Sequence, residues 1–147
     1  MLALREKFTP WIIGAFRIVI GLLFFTHGTA WMFEWPGPAR IHTSPAVGEW
    51  PWWWAGLIEA VVGVFLILGL GTRVVAFLGS GTMAVAYFWQ HQSKGLFPME
   101  NGGQGSALFC WVLLLIVFIG PGRLALDGLA ARGVKESTSS PALSDLA

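Results

Sequence analysis

Trp52-Trp53-Trp54-Ala55-Gly56-Leu57-Ile58-Glu59-Ala60-Val61-Val62-Gly63-Val64-Phe65-Leu66-Ile67-Leu68-Gly69-Leu70-Gly71 is an apolar run interrupted by one charge, Glu59. A helix rises 1.5 Å per residue, so about 20 apolar residues cross a hydrocarbon core of about 30 Å. This stretch therefore predicts a transmembrane helix. A carboxylate inside it costs several kcal/mol or takes up a proton, so Glu59 is expected to face a partner, a cavity or a ligand. Outward from this run, three more segments come close to spanning length: Trp11 to Phe33, Val74 to His91 and Gln104 to Gly120. The last two are short by apolar count and extend into their flanks, as short spans do. The expected architecture is an all-α membrane protein, a bundle of four transmembrane helices filling residues 1–132.

Composition points the same way. Hydrophobic residues make up 55% and charged residues 12%, with a mean hydropathy of +0.66. Soluble domains are roughly a quarter charged, so a soluble domain is excluded. A net charge of +1 leaves no basic stripe for nucleic acid. The one cysteine, Cys110, supports neither a disulfide framework nor a redox pair. With no dinucleotide fingerprint and no P-loop, no nucleotide cofactor is expected, and electrons for any redox chemistry must come from a partner. Arg5 and Lys7 precede the first span as in a signal peptide, but the apolar stretch is too long for one and reads as an uncleaved helix.

Lys and Arg in short flanking loops set orientation. Arg5, Lys7, Arg73, Arg123, Arg132 and Lys135 fall on one side and only Arg40 and Lys94 on the other, which places both termini in the cytoplasm. Trp31, Trp35, Trp50, Trp52, Trp53, Trp54 and Trp89 then crowd the outer interface as an aromatic belt. Residues 133–147 are Ser-rich with no apolar period and are expected to be a disordered tail.

Within the spans, Gly14, Gly21 and Gly28 recur every seven residues and Gly56, Ala60 and Gly63 surround Glu59, a pattern that reads as close helix packing. Counting depth at 1.5 Å per residue puts His27 about 24 Å above the inner end, with Glu59 and Tyr87 each about 20 Å up. His91 and Gln104 sit slightly higher. These five side chains are expected to converge on a polar pocket beneath the outer surface. Arg17 lies only about 9 Å from the inner end, leaving an axial gap of about 10 Å to Glu59. It is a candidate ligand contact that also fits a structural pairing.

With these residues in view, the chain resembles the DoxX family of small four-helix membrane proteins over nearly everything from Arg17 to Asp127. The resemblance is carried by Arg17 with Gly21, His27-Gly28, Gly56-Leu57-Ile58-Glu59, Leu68-Gly69-Leu70-Gly71-Thr72-Arg73, Ala84-Val85-Ala86-Tyr87-Phe88 with His91, Asn101-Gly102-Gly103, Phe109-Cys110, and Gly120-Pro121-Gly122-Arg123-Leu124-Ala125-Leu126-Asp127. It implies a multi-pass inner-membrane protein grouped with oxidoreductases, since a relative, DoxD, is a subunit of thiosulfate:quinone oxidoreductase. Two family charges are replaced here, by Trp31 four residues after the histidine and by Gln104 after Asn-Gly-Gly.

Two functions compete. In the first, the chain is a quinone-linked subunit of a membrane oxidoreductase, incomplete as an enzyme by itself. Glu59, His27 and His91 then do the proton chemistry, Tyr87, Gln104 and Arg17 bind the cofactor, and a membrane or periplasmic redox protein is the partner. In the second, it is a non-enzymatic scaffold for a redox complex. A haem between His27 and His91 is a lesser reading, because the spacing is no metal signature, and no metal site is expected. Contact with membrane lipid is expected throughout, and homo-oligomerisation is compatible with four short helices.

Overall fold

A computed structural model describes residues 2–37 and 44–128. The expectations placed on Arg40, Arg132, Lys135 and the tail from 133 to 147 fall outside these residues. Within them the chain is helical and contains no strand: α1 is Leu2–Phe33, α2 Trp52–Leu68, α3 Thr72–Ala86, α4 Pro98–Asn101 and α5 Gln104–Ile119. A π-helical turn, Tyr87–His91, and a 3-10 turn, Gln92–Lys94, continue α3.

Helix ends follow local chemistry. Gly69 takes a left-handed φ of 67°, and the N–H groups of Gly69 and Leu70 bond back to the carbonyls of Leu66 and Phe65 at 3.1 Å each. This closes α2 three residues before the end of the apolar run. Gly71, at φ 58°, turns the chain into α3, so the expected spans 52–71 and 74–91 become helices with a tight joint between them. At the other extreme, α1 begins nine residues before Trp11 and carries Pro10 within it. At 32 residues it is about 48 Å long, more than a bilayer core needs.

One stretch among the described residues, Leu4–Phe33, is long and apolar enough by length and composition to cross a membrane. The apolar helices α2 and α5, of 17 and 16 residues, reach only about 25 Å.

Packing joins α1 lengthwise to α2 and α3 to α5, with α2 touching α3 across the middle. Phe24, Val62, Leu66, Ala76, Met83, Leu113 and Ile116 form the buried core, contributed by four helices. Of the glycine stripe on α1, Gly21 and Gly28 line the α1–α2 seam, while Gly14 packs against the Arg123 main chain. A Cβ on Gly21 would come within 2.9 Å of the Gly63 carbonyl oxygen and the Ile67 nitrogen, and Gly28 lies against Gly56, Ala60 and Glu59. Small side chains let the two backbones meet, the packing that membrane helix pairs also use.

The residues after α5 fold back as a clasp over one end of the bundle. The N–H of Arg123 bonds to the Pro10 carbonyl at 2.8 Å, and that of Asp127 to the Gly69 carbonyl at 2.9 Å. The Asp127 carboxylate then accepts from the backbone N–H groups of Gly71 at 2.6 Å and Thr72 at 3.0 Å, at the start of α3. Anions are favoured at a helix N-terminus, where N–H groups have no partner within the helix. Burial by itself would raise the Asp127 pKa, but the N–H groups of Thr72 and Gly71 and the positive charge of Arg17 hold it below the ordinary carboxylate value. Arg73 performs the mirror-image task at the end of α5, donating to the Val117 carbonyl at 2.6 Å and that of Phe118 at 3.3 Å.

Candidate functional site

The α1–α2 seam closes tightest around Gly28 and Gly56, and directly beside Gly28 each helix carries a titratable group. His27 Nδ1 lies 2.6 Å from Glu59 Oε2. Glu59 is 4% exposed, whereas the His27 side chain retains 44% of its accessibility. This is a hydrogen bond in which the donor depends on the tautomer, and through it the buried acid has the partner its position demands. A carboxylate on one imidazole nitrogen orients the ring and leaves the other, Nε2, to donate or accept outward. Rings surround the pair: Phe109 of α5 is 6.0 Å from the imidazole centroid and Trp31 6.5 Å, while Trp31 itself stacks on Trp52 at 5.8 Å with an interplanar angle of 13°. The arrangement can share a proton between the two side chains in an apolar setting and leaves the other imidazole nitrogen to bond a further group.

Tyr87 and His91 form a second polar group around the π-helical turn. Their rings stack at 6.4 Å. His91 Nδ1 is 3.1 Å from the Asn101 carbonyl, and Asn101 Nδ2 donates to the Tyr87 hydroxyl at 3.3 Å and to the Gly95 carbonyl at 3.0 Å. Asn101 Oδ1 in turn accepts from the Gly103 N–H at 2.8 Å. Every polar atom of the buried Asn101 side chain is thus occupied in fastening the loop before α5 to the π-helical turn. Among the described residues no hydrogen bond or ring contact links this group to His27 and Glu59. Gln104 is exposed on the first turn of α5. The five side chains expected to converge on one pocket therefore divide into two pairs and an outlier.

Arg17 belongs to neither group. It is fully buried, and its guanidinium donates to main-chain carbonyls only: Nε to Pro121 at 2.9 Å, one terminal nitrogen to Leu66 and to Ile67 at 2.9 Å, the other to Leu124 at 2.7 Å and Arg123 at 3.5 Å. A cation at these carbonyls also complements the negative end of α2. With its donors directed in this way, Arg17 ties α1 to α2 and to the clasp, the structural pairing that its position also allowed.

One contributor escaped the sequence reading as a site residue. Asn101 had a signal, because Pro98 at a helix start and Gly102 just past its end mark a one-turn helix with Asn101 at its last position. Ser80, on the small-residue stripe Ala76, Ser80 and Ala84 of the third span, adds a hydroxyl that donates to the Cys110 carbonyl at 2.8 Å across the α3–α5 contact. Among the described residues no group of three or more His, Cys, Asp or Glu is placed to hold a metal ion.

Comparison with known proteins gives three findings. The family model described as DoxX matches residues 12–92. An uncharacterized protein of Haemophilus influenzae is 42% identical over 125 residues, covering 83% of this chain and 92% of that protein. A Bacillus subtilis protein named "Putative oxidoreductase CatD" is 27% identical over 128 residues, covering 84% of this chain and 90% of that protein. No solved structure matches.

Proposed function

The chain belongs to the DoxX family of membrane proteins, and from that premise we propose that it is a multi-pass inner-membrane subunit of an oxidoreductase system, linked to quinone and exchanging protons through His27 and Glu59. In this reading α1, α2, α3 with its π-helical turn, and α5 each cross the bilayer, the shorter ones by local thinning or snorkelling ends, with both termini cytoplasmic. The oxidoreductase name of the Bacillus subtilis relative supports the reaction class.

One observation carries the reading: a buried acid paired at 2.6 Å with a histidine that is itself half accessible, among aromatic rings. That donor set fits a quinone headgroup, which needs a hydrogen-bonding group at a carbonyl and apolar faces around its ring. When bound, a quinone supplies the capacity to take up two electrons and two protons. The chain's own residues supply the rest. His27 holds a hydrogen bond at Nε2 and transfers one proton there, and Glu59 holds the other end of the imidazole and balances its charge. Phe109, Trp31 and Trp52 keep water away. Electrons come from a partner redox protein, and the second proton from the aqueous face.

Purification in mild detergent with identification of co-purifying proteins and quinones tests this. A bound quinone retained by the wild type and lost in Glu59→Ala supports it. A scaffold function, favoured by the wholly structural use of Arg17, predicts instead that Glu59→Gln leaves partner assembly and function intact.

A further inference from the structure

At the end of the bundle far from His27, the clasp brings one cation beside another. Its main chain lies directly on α1: the Arg123 N–H bonds to the Pro10 carbonyl at 2.8 Å, and a Cβ on Gly14 would strike the Arg123 carbonyl oxygen. The Arg123 side chain runs along α1 and sets its guanidinium carbon 4.9 Å from the centroid of the Trp11 ring. The ring face holds the cation, and the guanidinium N–H groups still need acceptors. Lys7 stands one turn from Trp11, about 6 Å along the axis and about 40° around it. Lys7, Trp11 and Arg123 are all exposed, and among the described residues neither cation has a carboxylate within ion-pair distance. Arg5 and Glu6 face another side of α1, around a separate hollow with Thr9 and Pro10.

Depth identifies the surroundings. Counting about 20 residues back from Phe33, the length of a hydrocarbon core, reaches Gly14. Trp11 then lies about 4.5 Å beyond the core and Lys7 about 10 Å beyond it, where a headgroup layer of about 5–7 Å begins and ends. Tryptophan favours that boundary, and basic side chains there meet lipid phosphates. On the same face of α1, Ala15 and Leu22 continue from Trp11 into the apolar run and are exposed, a track along which an acyl chain can lie.

We propose that Lys7, Trp11 and Arg123 form a binding site for the phosphate of an anionic phospholipid, which bridges α1 to the clasp. The site rests on α1 crossing the bilayer and is independent of the proton exchange proposed for His27 and Glu59. Arg123 offers its planar N–H groups to two phosphate oxygens while Trp11 holds it in place, and Lys7 adds a second positive charge from α1. A zwitterionic lipid brings its own cation to the same place and is the poorer ligand. Because Arg123 belongs to the clasp and Lys7 to α1, a bound phosphate also fastens one to the other.

The test uses the full-length protein in detergent, titrated with dioleoyl phosphatidylglycerol or dioleoyl phosphatidylcholine, with bound lipid counted by native mass spectrometry. Wild type is expected to prefer phosphatidylglycerol at least about tenfold, and Arg123→Gln and Lys7→Gln each to lose about fivefold of that affinity. Lys7→Gln changes only an exposed helix position and serves if Arg123→Gln loosens the clasp. Arg5→Gln removes the same charge about 200° around the helix from Lys7 and is expected to stay within about twofold of wild type. Phosphatidylglycerol should also raise the unfolding temperature of wild type and not that of Arg123→Gln. Equal retention of both lipids by wild type overturns the site and leaves the quinone reading untouched. An Arg5→Gln loss as large as that of Lys7→Gln overturns it in favour of diffuse surface attraction, and equal binding of the deacylated headgroup, glycerophosphoglycerol, in favour of a soluble phosphate. The same rise in unfolding temperature in wild type and Arg123→Gln overturns the bridge to the clasp.

Discussion

Arg17 Nε donates to the carbonyl of Pro121 at 2.9 Å, joining the first helix to a segment 104 residues further along the chain. The same guanidinium reaches the end of α2 through Leu66 and Ile67 and the clasp again through Leu124. Three elements that have no local reason to meet are held by one planar cation, whose donor geometry suits several acceptors at once.

Replacing Arg17 should therefore be costly. Arg17→Met leaves buried main-chain carbonyls without donors, and a loss of about 3 kcal/mol or more is expected. Arg17→Lys keeps the charge but not the fork and should recover only part of it. Thermal unfolding in detergent, with quinone binding measured on the surviving folded fraction, separates this structural role from a ligand role. A folded Arg17→Met protein that no longer binds would contradict the assignment.

The close approach at Gly28 should tolerate no branched side chain. A Cβ there comes within 2.6 Å of the Ala60 nitrogen and 2.9 Å of the Glu59 Cβ, and neither backbone can move without opening the seam. Gly28→Val is expected to destabilise by about 1–3 kcal/mol, the usual penalty of overpacking, and also to lengthen the His27–Glu59 contact. Gly37→Val, where nothing lies nearby, should be close to neutral. Denaturation of the two variants side by side decides it.

Asp127 makes clasp closure depend on pH. Its pKa is held below the unfolded value, so its contribution is present above the ordinary carboxylate range and disappears as pH falls through the folded value. Asp127→Asn removes the anion at the start of α3 and is expected to cost about 1 kcal/mol at neutral pH, as for the loss of a helix N-cap, with the gap to wild type narrowing in acid. Stability of both proteins from pH 7 down to about pH 3 reads this directly. A gap that is constant over that range counts against the cap.

What was legible in the residues was whatever depends on local pattern. Apolar length marked α1, α2, α3 and α5; the joint between α2 and α3 falls inside the expected second span, at Gly69 and Gly71, where a left-handed turn favours a residue without a Cβ. The small-residue stripes foretold close helix packing, which the α1–α2 seam realises at Gly21, Gly28, Gly56 and Gly63. Glu59 announced itself as an acid among apolar residues, and depth counting put His27 near it, since helices rise uniformly.

Depth alone does not give direction around a helix axis or order around a bundle. Tyr87 was placed at the level of Glu59 and His91 slightly above it, yet a five-residue π-helical turn rotates them into a contact with Asn101, a change of winding that no apolar period records. Arg17 read as a candidate ligand contact that also fits a structural pairing; in the fold its partners are carbonyls at a helix end and in a turn far along the chain, groups every residue possesses and no side-chain pattern reveals. The sequence by itself determined which segments are helices, that the chain is a membrane protein and which acid had to be sheltered, because those follow from the solvation of side chains along a regular backbone. Which polar groups meet, which nitrogen stays accessible and how the clasp locks the bundle were decided by tertiary structure alone, because they depend on how separate helices turn toward one another.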